Sequence, residues 1–160
     1  MKAAVLYAPA PIAQRPLVIK EVPKPSPGPG EVLLRVLACG VCRTDLHILE
    51  GELPPLRTNG LILGHQIVGA VVDGATEALP LGTHVGISWM GGADGTCPYC
   101  RRGLENLCDT PTFTGYSVDG DMRSSPLRVR PLCLRCQTVW MRWRRLRCCA
   151  PESSVFEVYA

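Results

Sequence analysis

The sequence predicts a mainly β domain, a barrel or sandwich of short strands, over its first 120 residues. Three observations carry that prediction. Short β-branched and apolar runs recur at Lys2–Tyr7, Leu17–Val22, Glu31–Ala38, Leu61–Leu63, Ile67–Val72 and His84–Trp89. Turn residues separate them: the chain carries 16 glycines and 15 prolines, well above the roughly 12% typical of soluble chains. That much punctuation also argues against a long helical bundle or coiled coil.

Each element follows from its residues. Between the second and third runs, Pro23-Lys24-Pro25-Ser26-Pro27-Gly28-Pro29-Gly30 cannot join a ladder, because proline has no N–H to donate; it reads as a stiff loop. Cys42 to Leu49 reads as one short helix. Gly91 to Pro111 is rich in glycine and cysteine and has no apolar period. It therefore needs something other than burial to hold it. No Gly-x-Gly-x-x-Gly follows a strand, and no internal repeat is present.

Composition divides the chain. Residues 1–120 hold nine basic and eleven acidic residues, a net of −2; residues 121–160 hold eight arginines and three acids, a net of +5. All glycines lie before position 121, and two of the three tryptophans lie after it. The expected boundary is residue 120, with residues 121–160 irregular. No apolar run approaches the roughly 18 residues of a membrane span, and Met1 to Tyr7 lacks a signal-peptide pattern, so the expected location is cytoplasmic. Nine cysteines in that setting point to metal binding or free thiols rather than disulfides.

The sharpest local signal is Asp94-x2-Cys97-x2-Cys100-x7-Cys108. Closely spaced thiolates converge on zinc, and closed four-ligand sites are structural. Asp94 stands one Cys-x-x-Cys step ahead of Cys97, and a carboxylate can fill a zinc position. The alternative is three free thiols in a loop. A second cluster packs Cys42, Arg43, Thr44, Asp45 and His47 into little more than one turn, and Gly64-His65-Gln66 follows. Cysteine and histidine from separate segments suit a catalytic zinc with an open position. Zinc there would polarise an alcohol oxygen; Thr44 and His47, three apart, would pass its proton outward; Arg43 would hold a phosphate. Cys39 reads as a small buried hydrophobe. His84, in a turn-like step, is assigned no function.

These residues resemble the zinc-dependent alcohol dehydrogenases of the medium-chain type. The resemblance rests on Met1-Lys2-Ala3, Pro27-Gly28-Pro29-Gly30-Glu31-Val32, Gly40-Val41-Cys42-Arg43-Thr44-Asp45, Gly64-His65 and the cysteine lobe, in that order over residues 1–120. It implies a GroES-like, partly open β-barrel with a short helix and a zinc lobe at about 91–111. It implies catalytic-zinc ligands at Cys42 and His65, structural-zinc ligands at Cys97, Cys100 and Cys108, and a proton relay through Thr44 and His47. Arg43 would meet the cofactor pyrophosphate, and Asp45 would support a ligand from behind. The implied cofactors are zinc and NAD or NADP. The implied substrate is a small alcohol or aldehyde, and a homo-oligomer of the intact relative is in keeping with it.

Three features depart from the pattern. Asp94 replaces the usual first cysteine of the lobe. Gln66, also expected behind the ligands, follows Gly-His where glutamate is commoner. The chain ends before the dinucleotide-binding domain and the third catalytic-zinc ligand that the resemblance places beyond residue 120. The tail has an expected cause in the genetic code. Codons chosen for Gly120 to Pro126, read one base earlier, spell Gly-Tyr-Ala-Glu-Phe-Ala, which resembles what this family has at this point. Trp140-Met141 then forces an aspartate triplet and Cys148-Cys149 a leucine, and the shifted frame permits Leu-Leu-Cys-Ala-Gly, whose cysteine resembles the third ligand. On this reading a single G lost near Asp119-Gly120 leaves a truncated, inactive chain.

Two rival readings remain. One is a non-enzymatic, zinc-stabilised β module. The other takes Trp140, Arg142, Trp143, Arg144, Arg145 and Arg147 as a nucleic-acid surface, although they form no known module.

Overall fold

A computed structural model describes residues 1–124 apart from 55 and 58, together with 127–129 and 134–135. Ten strands and one α-helix alternate with three 3-10 turns among those residues. Strand β1 (Lys2–Leu6) is the centre of a three-stranded sheet, flanked antiparallel by β2 (Leu17–Glu21) and β4 (Leu61–Ile62). A five-stranded sheet is built on β3 (Val32–Gly40), β5 (Gln66–Asp73) and β6 (His84–Ile87), with β9 (Leu127–Val129) beside β3 and β10 (Leu134–Arg135) beside β6. The third sheet pairs only β7 (Met90–Gly92) with β8 (Thr112–Phe113). Among the described residues the strands thus form an open arrangement of ladders rather than a closed barrel.

The predicted strands are present, with shifted ends. The run through Trp89 stops at Ile87, and Met90–Gly92 turns away to pair with Thr112–Phe113. This small ladder joins the two ends of the cysteine lobe, so the lobe is a loop tied at its base. The described parts of the tail include two short strands where irregular chain was expected, with Val32, Leu33 and Leu34 paired to Val129, Arg128 and Leu127. The arginine-rich run from 142 to 147, Trp140, Trp143 and the tail cysteines lie outside the described residues.

Alternation along the strands puts the core between the sheets. Val32, Leu34, Ile67, Val71, Leu79, Val85 and Ile87 form one buried cluster, with Cys39 packed on its edge. The second joins Leu6, Leu61 and Leu63 to Ile48 and Leu49 of helix α1 (Arg43–Glu50). That second cluster positions the candidate site. Burying Ile48 and Leu49 against Leu61 and Leu63 lays the start of α1 beside the segment that leads into β5. The helix ends at Gly51, whose φ of +85° is the left-handed cap that glycine adopts without steric cost. Among the described residues, no helix is long and apolar enough to cross a membrane.

Candidate functional site

Cys42 is the N-cap of α1, and His65 is the residue before β5. Their ligand atoms meet: Cys42 Sγ lies 3.1 Å from His65 Nε2. A tetrahedral zinc bound at about 2.3 Å to sulfur and 2.0–2.1 Å to nitrogen holds such a pair roughly 3.5 Å apart, so the spacing fits one ion with little adjustment.

Asp45 fastens the two segments together. It is the third residue of α1, and its Oδ2 accepts the Cys42 N–H at 2.9 Å, the acidic half of a capping box. Its Oδ1 accepts the Gly64 N–H at 3.0 Å and stands 3.4 Å from His65 Nδ1. Asp45 and His65 are 2% and 4% exposed, so this charge pairing is buried. The 3.4 Å contact is too long for a good hydrogen bond, and Nδ1 has no hydrogen-bond partner among the described residues. Burial opposes a charged imidazole here, but Asp45 and Cys42 outweigh it and lift His65 to about 9. Burial likewise raises the Cys42 thiol, while contacts from His65 and Thr44 more than offset it, leaving Cys42 below its ordinary value. A carboxylate behind an imidazole that faces a cysteine sulfur is the arrangement that orients a metal-binding histidine.

The turn before His65 admits only glycine. Gly64 has a φ of +96°, and a Cβ there would stand 2.9 Å from Cys39 Sγ. Gly120 passes so close beneath that its own Cβ would overlap Gly64 O at 1.9 Å.

The other predicted site residues spread outward from this point. Thr44 lies near enough to the Cys42 sulfur to help lower its thiol pKa. His47, three residues along α1, pairs through Nδ1 with Glu52. Arg43 is exposed at the first position of the helix. Gln66 is half-buried at the start of β5, and its buried side-chain oxygen has no hydrogen-bond partner among the described residues. His84 is exposed. Cys39 is half-buried rather than fully buried; desolvation and the charges of Asp121 and Asp45 push its thiol up to about 12.

Some functional neighbours were not legible from the residues alone. Trp89 packs edge-on to His65, with ring centres 5.0 Å apart, and stacks on Phe113 at 5.0 Å and Tyr116 at 5.7 Å. An aromatic wall therefore backs the imidazole. The only sequence signal for it is the aromatic type of three residues in separate segments. Glu52, the partner of His47, sits in the turn after α1 and had no signal beyond its charge.

The second group lies in the lobe. Ligand atoms of Asp94, Cys97, Cys100 and Cys108 all lie within 4.8 Å of one another. Backbone N–H groups point at them: Cys100 N–H meets Cys97 Sγ at 3.4 Å, and Asp94 N–H meets Cys108 Sγ at 3.3 Å. Donation from the Cys100 backbone holds the Cys97 thiol below its ordinary value. Desolvation and the neighbouring thiols push Cys100 up to about 12, because three sulfurs this close cannot all ionise without a cation between them. Backbone N–H groups of Cys97 and Thr96 hold the Asp94 carboxyl well below the usual carboxylate range. A donor set of three sulfurs and one carboxylate fits zinc.

Comparison with known proteins places these features in a wider setting. The family described as the alcohol dehydrogenase GroES-like domain matches residues 28–138, running past the composition break at 120. An alcohol dehydrogenase of Geobacillus stearothermophilus is 46% identical over 123 residues, covering 75% of this chain and 35% of the relative. One from Rhizobium meliloti is 48% identical over 108 residues, covering 66% and 32%. The solved structure of acetophenone reductase from Geotrichum candidum in complex with NAD superposes with a TM-score of 0.70 at 33% identity, covering 84% of this chain and 39% of that one. The chain thus spans about a third of the length of the curated relatives it matches.

Proposed function

Since the chain belongs to the alcohol dehydrogenase GroES-like domain family, we propose that it carries the zinc- and alcohol-binding part of a medium-chain alcohol dehydrogenase. The observation that supports this most is the 3.1 Å approach of Cys42 Sγ to His65 Nε2, with Asp45 behind the imidazole. Cys42 and His65 would hold the ion, and Asp45 would orient the imidazole. Zinc bound there supplies Lewis acidity to an alcohol oxygen. The residues of this chain then have defined tasks. Thr44, two residues after Cys42, takes the alcohol proton at its hydroxyl as it gives its own to His47, which hands it to water, with Glu52 pairing with the ring. Arg43, exposed at the start of α1, meets the phosphates of NAD or NADP. Trp89 excludes water from one face of His65. In the lobe, Asp94, Cys97, Cys100 and Cys108 hold a structural zinc.

We further propose that residues from 121 onward are out of frame and that the 160-residue chain alone has little or no dehydrogenase activity. With one G restored after Gly120, position 121 reads glycine. Asp121 there is 2% exposed, and neither carboxylate oxygen has a hydrogen-bond partner among the described residues. A buried carboxylate where the restored frame has no side chain supports the reading. The family match through residue 138 is the finding that opposes it. Resequencing the gene across codons 115 to 125 decides between them.

The rival zinc-stabilised module shares the lobe and makes no use of Cys42. Thiol alkylation of the purified chain, with and without zinc, separates the two. Protection of Cys42 together with Cys97, Cys100 and Cys108 supports the enzyme part. Protection of the lobe alone supports the module.

A further inference from the structure

We propose that the lobe holds its zinc through three thiolates and a displaceable fourth ligand, Asp94, so that the loaded site accepts a small thiolate from solution. The inference rests on the lobe binding zinc. It comes from how Asp94 is already committed. Its Oδ1 accepts the N–H of Thr96 at 2.7 Å and of Cys97 at 2.8 Å, with the Thr96 hydroxyl at 3.4 Å; its Oδ2 accepts the Thr110 hydroxyl at 2.7 Å.

The pattern repeats that of the next ligand. Cys97 Sγ accepts the N–H three residues on, from Cys100, as Asp94 Oδ1 accepts the N–H three residues on, from Cys97. The carboxylate therefore occupies the turn that a thiolate would occupy. It differs in two respects. Four protein donors spread its charge, leaving one lone pair of Oδ2 for a metal. It is also the exposed member of the group, whereas Cys97 and Cys108 are buried and Cys100 is half-buried.

A soft, three-sulfur site binds a fourth sulfur better than a hydrogen-bonded oxygen. With zinc bound, exchange would replace the Asp94 carboxylate oxygen by the incoming sulfur and release the incoming thiol's proton to water. Asp94 loses little, because its hydrogen bonds to Thr96, Cys97 and Thr110 stay in place. No electron is transferred. Incoming ligand reaches the ion from the side of Asp94, the solvent side of the lobe.

Cadmium-113 NMR of the full chain tests this site by site. The lobe resonance is the one lost in Cys97→Ser. Adding 2-mercaptoethanol is expected to move it downfield, toward the position of a four-sulfur site. Asp94→Ala should show the same end point at lower thiol concentration. Asp94→Cys should begin at that position and not respond. A wild-type lobe resonance that thiol leaves in place, or one already at the four-sulfur position before thiol is added, overturns the exchangeable ligand. Absence of any resonance lost in Cys97→Ser overturns the lobe as a metal site, a separate failure.

Discussion

Asp45 holds His65 from behind while anchoring the chain on either side of the candidate ion. Its Oδ1 is 3.4 Å from His65 Nδ1, and the same carboxylate bonds the backbone of Cys42 and of Gly64. One buried side chain thus sets both the helix start that carries the sulfur and the turn that carries the nitrogen. Removing it should break metal binding and folding together. Asp45→Ala is expected to destabilise the chain by about 3 kcal/mol, since it strands buried polar groups. Asp45→Asn keeps an acceptor for only one of the two N–H groups, Cys42 or Gly64, so it should cost less than alanine but still destabilise, while weakening zinc affinity roughly 10–100-fold through the lost support of the imidazole. Urea unfolding and zinc competition against a chelator measure the two effects.

Asp121 supplies a pH dependence of known sign. Burial pushes its carboxyl up to about 7 from an ordinary 3.8, and Arg123, 3.8 Å away, only partly opposes this. The folded chain therefore holds this proton more tightly than the unfolded chain. Its contribution favours the fold below about pH 4 and is lost as the pH rises toward 7. Asp121→Asn, which cannot ionise, should match wild type near pH 4 and exceed it by up to about 4 kcal/mol above pH 7. Urea midpoints of both proteins across that range check it; a difference that is flat with pH contradicts it.

The Gly64 turn should tolerate no side chain. Gly64→Ala must place a β-carbon 2.9 Å from Cys39 Sγ at a φ of +96°. Backbone strain and overpacking together are expected to cost about 2–4 kcal/mol. His65 should move with the turn, so zinc affinity at Cys42 should fall as well. Thermal unfolding with and without zinc reads both.

Trp89 should act through packing. Its ring contacts His65, Phe113 and Tyr116, so Trp89→Ala removes the wall behind the imidazole. A loss of about 3 kcal/mol is expected, whereas Trp89→Phe should retain most of the stability. Chemical denaturation of the two variants is sufficient.

Much of this was legible in the residues. β-branched runs bounded by proline and glycine marked the main strands, because proline cannot donate to a ladder and glycine leaves it readily. Cysteine spacing marked the lobe, because a tetrahedral metal needs donors a turn apart. The Met90–Gly92 and Thr112–Phe113 pair was not legible: each run is too short to show alternation, and its partner lies about twenty residues away. Asp45 was expected to support a ligand, but its bond to the Gly64 backbone needs the approach of α1 to β5, which only the packing of Ile48 and Leu49 on Leu61 and Leu63 provides. Glu52 and the Trp89 stack were hidden for the same reason. Residue type showed what they could do, while their neighbours came from the fold.

The most direct test of the account is an anomalous difference map, recorded at the zinc edge, from crystals of the zinc-loaded chain. The account predicts a peak bonded at about 2.3 Å to Cys42 Sγ and about 2.0–2.1 Å to His65 Nε2. Crystals with zinc in the lobe and no peak within bonding distance of either Cys42 or His65 would contradict it.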